Sequence, residues 1–428
     1  MEEKQPNNLQ KKLSERLKTL REYAFAFMKW LVLAVPAGLV CGGVGCLFHM
    51  LIELATDLRH ENFFIIYFLP AGGVLIVLLY RLFRLQNVDG TNHVIESVRK
   101  DGKVPFGMAP GILISTVLTH LLGGSAGREG AALQLGGSLG SAMGKLFRLS
   151  EKDMHVMVLC GMSAVFSALF ATPLTAAVFV IEVISVGTAY YSAILPCVCS
   201  SVTAYYLTIL LGMKPSFFAV SEVPAITPLS LLGTLGLGVL FALMSIALCV
   251  SLSKTKQLFK KVLKNEFVRA AVGGALVIGL TLLFGTDYNG AGMEIAGKAI
   301  TTGEAHPAAF ALKLLFTAVT LAAGFKGGEI VPTFFIGATF GCVVAPFLGI
   351  NAGFGAALGL VGVFCGATNA PFASLFLSVE LFGGAGMPYF AVVCAVSYML
   401  SGYFSLYSSQ IIVYDKLKAV LAGRKAIH

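Results

Sequence analysis

The sequence predicts an all-α, polytopic membrane protein made of two helical repeats with broken, re-entrant helices. Composition is the first observation behind this reading. Of 428 residues, 57% are hydrophobic and only 12% are charged, with a mean hydropathy of +0.83; soluble domains carry roughly 25% charged residues. Segment length is the second. A helix needs about 20 apolar residues to cross ~30 Å of hydrocarbon, and many apolar runs here are shorter, or interrupted by Gly or Pro. Backbone broken at that depth is tolerated only where it is buried in protein or lines a cavity, and transporters built from repeats use it that way. Spacing is the third. One shift of 198 residues carries Pro173 to Pro371, Glu182 to Glu380, Arg128 to Lys326 and Gly130 to Gly328.

In chain order, residues 1–23 are charged and amphipathic, without the apolar core and cleavage site of a secretory signal. They are expected as a cytosolic surface helix ahead of the first span. Residues 24–213 form the first repeat. Its runs are Ala24–Ala55, Phe63–Phe83, the polar Asn87–Lys103, Pro105–Leu122, Gly123–Phe147, Met154–Val186 and Tyr190–Met213. Residues 214–229, with Pro215, Pro224 and Pro228, read as the linker. Residues 230–428 form the second repeat: Leu231–Leu252, Phe267–Phe284, a Gly-rich span to Pro307, Ala308–Ala323, Pro332–Leu348, Ala352–Thr368, Pro371–Phe382 and Met387–Leu400. A last helix is expected from about Tyr407, with no cytosolic regulatory domain after it.

The net charge of +9 does not point to nucleic acid. The basic residues lie in short segments between apolar runs, such as Arg81–Lys103, Lys254–Lys264 and Lys416–Lys425. Short Lys- and Arg-rich loops mark the cytoplasmic face, so both termini are expected in the cytosol. The nine cysteines show no metal-ligand spacing and read as small buried hydrophobes. The seven histidines form no cluster, and no metal or cofactor is expected.

The stretch Gly123–Phe147 organises the chemistry. Apart from Lys145, its only charges are Arg128 and Glu129, set between glycines. A carboxylate at membrane depth is expensive, so it should face a cavity or a partner. The glycines permit a turn and a close backbone approach. Ala131–Leu135 reads as the opening of a helix. A helix that begins inside a membrane points unpaired N–H groups at whatever precedes it, which makes an anion site without a fixed positive charge.

Gly127-Arg128-Glu129-Gly130, followed by Gln134 and Gly136-Gly137…Gly140, resembles the GREGP segment of the CLC chloride channels and anion/proton antiporters, with Ala131 where the family usually has proline. The resemblance covers roughly Ala24 to Val420. It implies about eighteen helices in two inverted halves, and a homodimer with one pore per subunit. Tyr190–Met213 and Phe372–Leu400 would supply the dimer interface.

Four helix-start segments would converge near the midplane. The first, Val88-Asp89-Gly90-Thr91-Asn92, stands where the family has GSGIP, whose serine touches the central anion; only Gly90 is retained. Asp89 has several readings: it turns away, is protonated, pairs with Arg99 or His93, or caps the helix Val94–Val98. Thr91 or Asn92 would then supply the donor. The second segment is Gly127–Gly130. Glu129 reads either as a structural partner of Arg128 or as a gate. A carboxylate at a helix N-terminus competes with an anion for the same amides and swings out when protonated. The resemblance implies the gate.

The third segment, Gly327-Gly328-Glu329-Ile330-Val331-Pro332, resembles the family's GGIFAP, which places anion-facing amides at Glu329 and Ile330. Thr333–Thr339 resembles the fluoride-exporting branch. Glu329 reads as a proton-transfer acid or as a cap on its own helix. The fourth is Ser405-Leu406-Tyr407, in the place of the family's central-site tyrosine, whose O–H donates to the anion. An interfacial aromatic is the other reading of Tyr407, and Tyr403 is the rival position. Val183 stands where many chloride/proton antiporters have a second glutamate; Glu182 and Glu380 are expected to be structural, ending their helices at polar contacts.

The resemblance thus implies a CLC-type fluoride/proton antiporter that exports fluoride through a bacterial plasma membrane. A chloride-selective channel or chloride/proton antiporter is the alternative. Glu129 and Glu329 are the expected gating and proton-transfer groups. Gly127, Arg128, Gly130, Asp89, Gly90, Thr91, Asn92, Gly328, Ile330 and Tyr407 are the expected anion contacts. An enzyme would need a clustered nucleophile, base or metal set, which the sequence does not offer. A cation carrier would want several acids at the broken helices without amide donors around them.

Overall fold

The computed structural model describes residues 8–213, 217–220, 222–418 and 420–427. Residues 1–7 of the expected N-terminal segment, and Lys214 and Pro215 of the linker, lie outside them. The first half runs α1 (Asn8–Glu61), α2 (Leu69–Leu82), α3 (Gly90–Lys100), α4 (Met108–Leu121), α5 (Glu129–Leu146), α6 (Glu151–Phe170), α7 (Pro173–Glu182), β1 (Ser185–Val186) and α8 (Ile194–Leu210). The second runs α9 (Pro228–Val262), α10 (Glu266–Phe284), α11 (Met293–Thr302), α12 (Ala309–Ala323), α13 (Ile330–Val344), α14 (Ala352–Thr368), α15 (Pro371–Phe382), α16 (Met387–Leu400), β2 (Ile411–Tyr414) and β3 (Leu421–Lys425). Seven helical segments among the described residues are long and apolar enough to cross a membrane. The shorter apolar ones, α7 and α15 among them, are the broken spans that the composition implied.

Two elements differ from expectation. The N-terminal segment does not form a separate surface helix, because α1 continues without a break from Asn8 into the first span. No Gly or Pro lies between Asn8 and Pro36 to end it. Among the described residues beyond Tyr407 there is no helix but a small sheet of order β1-β2-β3, with β1 and β2 parallel and β2 and β3 antiparallel. The run Ile411-Ile412-Val413-Tyr414 is β-branched and aromatic, which suits a strand better than a helix. All nine cysteines are free, and eight are buried.

The core of each half is a glycine-seamed helix pair. A Cβ on Gly136 of α5 would come 2.3 Å from the Gly161 carbonyl oxygen of α6. One on Gly337 of α13 would come 2.3 Å from the Gly359 carbonyl oxygen of α14. Small residues at such seams let backbones touch where lipid supplies no hydrophobic drive.

The repeat register needs one revision. Gly127 and Gly328 exchange both backbone hydrogen bonds at 2.7 Å, so they are mates at a shift of 201 residues. The shift of 198 holds later, at the left-handed residues Ala171 (φ 55°) and Asn369 (φ 57°) and at the starts of α7 and α15. The α5–α6 unit is therefore three residues longer than α13–α14. The expected matches of Arg128 with Lys326 and Gly130 with Gly328 are off by that amount.

Glu182 and Glu380 do more than end their own helices. Glu380 accepts from the Leu174 and Thr175 amides at the start of α7, both at 2.9 Å. Glu182 accepts from the Phe372 and Ala373 amides at the start of α15, at 3.2 and 2.8 Å. Each half thus caps the exposed N–H groups of the other.

Candidate functional site: two helix starts and two carboxyls

The starts of α5 and α13 meet at the Gly127–Gly328 bridge. A Cβ on Gly328 would lie 2.4 Å from the Gly130 nitrogen, and one on Gly130 would lie 2.9 Å from the Gly328 Cα. Only glycine allows this approach. The first-turn amides of both helices have no helical acceptor and point into the junction.

Glu129 is the first residue of α5 and is completely buried. Its Oε2 accepts from the Arg128 amide at 2.9 Å. Arg128 Nε stands 3.5 Å from Oε1, which has no hydrogen-bond partner, and the guanidinium also donates to the Leu169 carbonyl at 3.3 Å. The ion pair is therefore open, and Arg128 is shared with the end of α6.

Glu329 takes the N-cap position of α13 but makes no capping bond, so the self-capping reading fails. Its Oε2 is buried without a partner and lies 3.0 Å from where a Gly130 Cβ would stand. The Glu329 carboxyl thus reaches across the junction onto the other half.

A cavity of about 360 Å³ opens from this junction. Gly90, Gln134, Gly327, Glu329 and Tyr407 line it, together with Lys256, Lys260 and Arg269. Tyr407 is 1% exposed, and its hydroxyl is buried without a partner. Tyr403 instead donates to Asp415 beside the small sheet, so Tyr407 is the tyrosine at the site.

The α3 start is wired differently from expectation. The Thr91 hydroxyl donates to the Gly130 carbonyl at 3.2 Å and accepts from Gln134 at 3.2 Å. It locks α3 to α5 and is not a free donor. Asn92 accepts from the Ser409 amide at 3.1 Å and donates to Asp89 at 3.2 Å. Asp89 makes no helix cap, and its partner is Lys256 at 3.2 Å, not Arg99 or His93. Arg99 donates to the Ser409 carbonyl. Gly90 holds φ +51°, and a Cβ there would crowd the Gln134 amide at 3.3 Å.

The structure therefore gathers Gly127, Arg128, Glu129, Gly130, Gly328, Glu329, Ile330 and Tyr407 at one junction, and sets Asp89 and Asn92 along the outer cavity. Sequence reasoning missed Lys326 and Tyr80. Both line the cavity, and the Lys326 ammonium sits 4.1 Å from the Tyr80 ring centroid. The unbroken run Lys326-Gly327-Gly328-Glu329 was the available signal for Lys326.

Comparison with known proteins agrees with this geometry. The family model described as Voltage gated chloride channel matches residues 72–402. A chloride/fluoride channel protein of Pseudomonas syringae pv. tomato is 34% identical over 396 residues, covering 91% of this chain and 87% of the relative. A crystal structure of a CLC-type fluoride/proton antiporter superposes with a TM-score of 0.86 at 31% identity, over 90% of this chain and 98% of that one. A slow cyanobacterial Cl⁻/H⁺ antiporter shares the fold at a TM-score of 0.75 and 19% identity, over 87% and 94% of the two chains. With a matched segment from α2 to the end of α16 and the paired helix starts in place, the chain belongs to the voltage-gated chloride channel, or CLC, family.

Proposed function

We propose that the protein exchanges fluoride for protons across the bacterial plasma membrane and so exports fluoride. The observation that carries this is the buried, partnerless Oε2 of Glu329 beside the first-turn amides of α13. Protonated, it has a hydrogen to donate, and fluoride is a small, strong acceptor. Charged and unpaired, it would repel any anion at those amides. The likeness to a chloride/fluoride channel protein and to a fluoride/proton antiporter supports the same choice of substrate.

Glu129 acts as the gate. Its carboxylate competes with the anion for the α5 amides and leaves them when protonated. Gly127 and Gly328 hold the two helix starts together through their mutual amide bonds, Gly130 and Ile330 supply amide donors, and the Tyr407 hydroxyl supplies a side-chain donor. Arg128 steadies Glu129. Asp89 and Asn92 belong to the approach rather than to the innermost site. The chemistry is binding and proton movement, without an enzymatic step.

The cavity face carries Arg81, Lys256, Lys260 and Arg269, and a neighbouring groove gathers Arg99, Lys100 and Lys425. By the positive-inside rule this face is cytosolic. Lipid covers the outer apolar surface. The exposed apolar side chains Leu174, Ile194, Ile209, Phe372 and Phe376, around the α7–α15 seam and α8, are the surface for a second copy in a homodimer.

The test is efflux from liposomes loaded with fluoride or chloride, with proton uptake followed by a dye. Proton-coupled fluoride efflux is expected, and Glu329→Gln should abolish it or sharply reduce it while leaving the circular dichroism unchanged. Wild-type protein that carries chloride as readily as fluoride, or a Glu329→Gln variant with the wild-type coupling ratio, overturns the proposal in favour of chloride transport.

A further inference from the structure

We propose that Gln410 is a positioning residue: together with Ser405 it clamps the backbone of Tyr407 and so aims the tyrosine hydroxyl at an anion in the helix-start junction. The proposal rests on the reading of that junction as an anion site. Tyr407 lies in a segment, residues 401–410, that forms neither a helix nor a strand of the sheet. Its peptide groups are held by other bonds. The Tyr407 amide donates to Ser405 Oγ at 3.1 Å, and that hydroxyl donates to Gln410 Oε1 at 2.9 Å. The Gln410 amide then donates to the Tyr407 carbonyl at 3.1 Å. These three bonds close a ring on both sides of the tyrosine backbone. The Tyr407 hydroxyl, by contrast, is buried and has no partner among the described residues. Backbone placement and packing therefore set where it points. A hydroxyl at the end of a rigid side chain magnifies any tilt of its backbone, and hydrogen bonds weaken steeply outside a narrow range of distance and angle.

The clamp is anchored on both halves of the chain. Gln410 is 0% exposed. Its Nε2 donates to the Val183 carbonyl at the end of α7, at 3.1 Å, and to the Thr368 carbonyl at the end of α14, at 3.0 Å. Its Oε1 also accepts from Asn369 Nδ2 at 3.0 Å. Both donors and both acceptor sites of the side chain are thus used. A buried polar network that is fully satisfied rigidifies what it joins, whereas a partly satisfied one is costly. Asn369 extends the network outward. It accepts from the Lys416 ammonium, which also donates to the Tyr398 carbonyl at 2.8 Å and to Ser401 Oγ at 3.0 Å. Capping the ends of α7 and α14 would need only Nε2. The bond between Oε1 and Ser405 does nothing for those helix ends, and it bears directly on the peptide of Tyr407. That bond makes Gln410 a positioning residue rather than a helix cap.

The experiment is a double-mutant cycle on the full-length protein in detergent, with fluoride and chloride binding read by calorimetric titration and folding by circular dichroism. Gln410→Met keeps the length of the side chain and removes all its hydrogen bonds. Ser405→Ala removes the link to the tyrosine amide but leaves the Gln410 bonds to Val183 and Thr368 in place. Each should raise the fluoride dissociation constant by about threefold or more, the size of one weakened hydrogen bond. In a Tyr407→Phe background the same substitutions should add no more than about twofold, because the hydroxyl that they aim is gone. A merely structural role would give the same shift in both backgrounds, and that result overturns the proposal. Unchanged affinity in either folded variant overturns it too. If Gln410→Met does not fold, Ser405→Ala carries the cycle; loss of folding in both overturns the proposal and leaves the network a matter of stability. Wild-type protein that binds neither anion, or Tyr407→Phe that binds as the wild type does, would instead remove the reading of the site, and the positioning role with it.

Discussion

Glu380→Ala should remove the strongest polar link between the two halves. Glu380 Oε1 accepts from the Leu174 amide at 2.9 Å; Oε2 accepts from the Thr175 amide at 2.9 Å and from the Thr175 hydroxyl at 2.5 Å. Its counterpart Glu182 accepts two amides, from Phe372 and Ala373. Both helix starts open with proline, and their next amides have no acceptor inside the helix. A hydrogen bond to a charged group contributes about 1.5–3 kcal/mol, and a buried donor left alone costs about 1–3 kcal/mol. Both carboxylates are half-buried, which places the losses below the sum of those terms. Glu380→Ala should then cost about 3 kcal/mol and Glu182→Ala about 2 kcal/mol, in the order of bonds lost. Glu380→Gln, which keeps one acceptor oxygen, should fall between Glu380→Ala and the wild type. Denaturation of the detergent-solubilised protein, followed by circular dichroism, measures these differences. The reasoning is refuted if Glu380→Ala lies within about 0.5 kcal/mol of the wild type, the range of an ordinary surface change, or if Glu182→Ala is the more damaging.

Two further outcomes follow from the site. Glu129→Gln mimics the protonated gate, so proton pumping driven by an anion gradient in proteoliposomes should vanish; undiminished pumping removes Glu129 from the gate. Tyr407→Phe should weaken fluoride or chloride binding by roughly 0.5–3 kcal/mol in calorimetric titration, whereas Tyr403→Phe, whose hydroxyl already serves Asp415, should leave it unchanged; the reverse pattern would move the anion donor to Tyr403.

The helix-start junction was legible because its chemistry is rare in an apolar chain. A charged pair between glycines marks itself against such a background, and so does Glu329 after Gly327-Gly328. What joins these pieces was less visible. The structural role of Glu182 and Glu380 was readable, but their partners are backbone amides 190–206 residues away, and an N–H carries no signature in sequence. Asp89 had nearby candidates in His93 and Arg99, yet it pairs with Lys256, 167 residues distant, because α9 brings its basic end over the cavity. Ile411–Tyr414 is too short for periodicity to separate strand from helix. Its pairing with Ser185–Val186, across most of the second half, decided the outcome.

The three-residue difference between the halves bears on how one junction could couple two ions. At the shift of 201 set by Gly127 and Gly328, the mate of Glu129 is Ile330, and the mate of Glu329 is Arg128. The two acids are therefore not repeats of each other. Glu129 is the first residue of its helix and folds back onto the Arg128 amide of its own segment. Glu329 is one place earlier on its helix, has no such amide, and lies over Gly130 of the opposite half. On the proposed function, an anion arriving along the cavity meets Glu329 as a donor when that group is protonated, and Glu129 as a rival for amides when that group is charged. These are opposite dependences on protonation, set on two sides of a single backbone bridge. An exact inverted repeat would present the same dependence to both sides, and a proton would have no preferred order relative to the anion. On the proposed function, the pair, rather than either glutamate alone, gives the junction its means of coupling. Substituting one acid should therefore uncouple transport even where the other is intact.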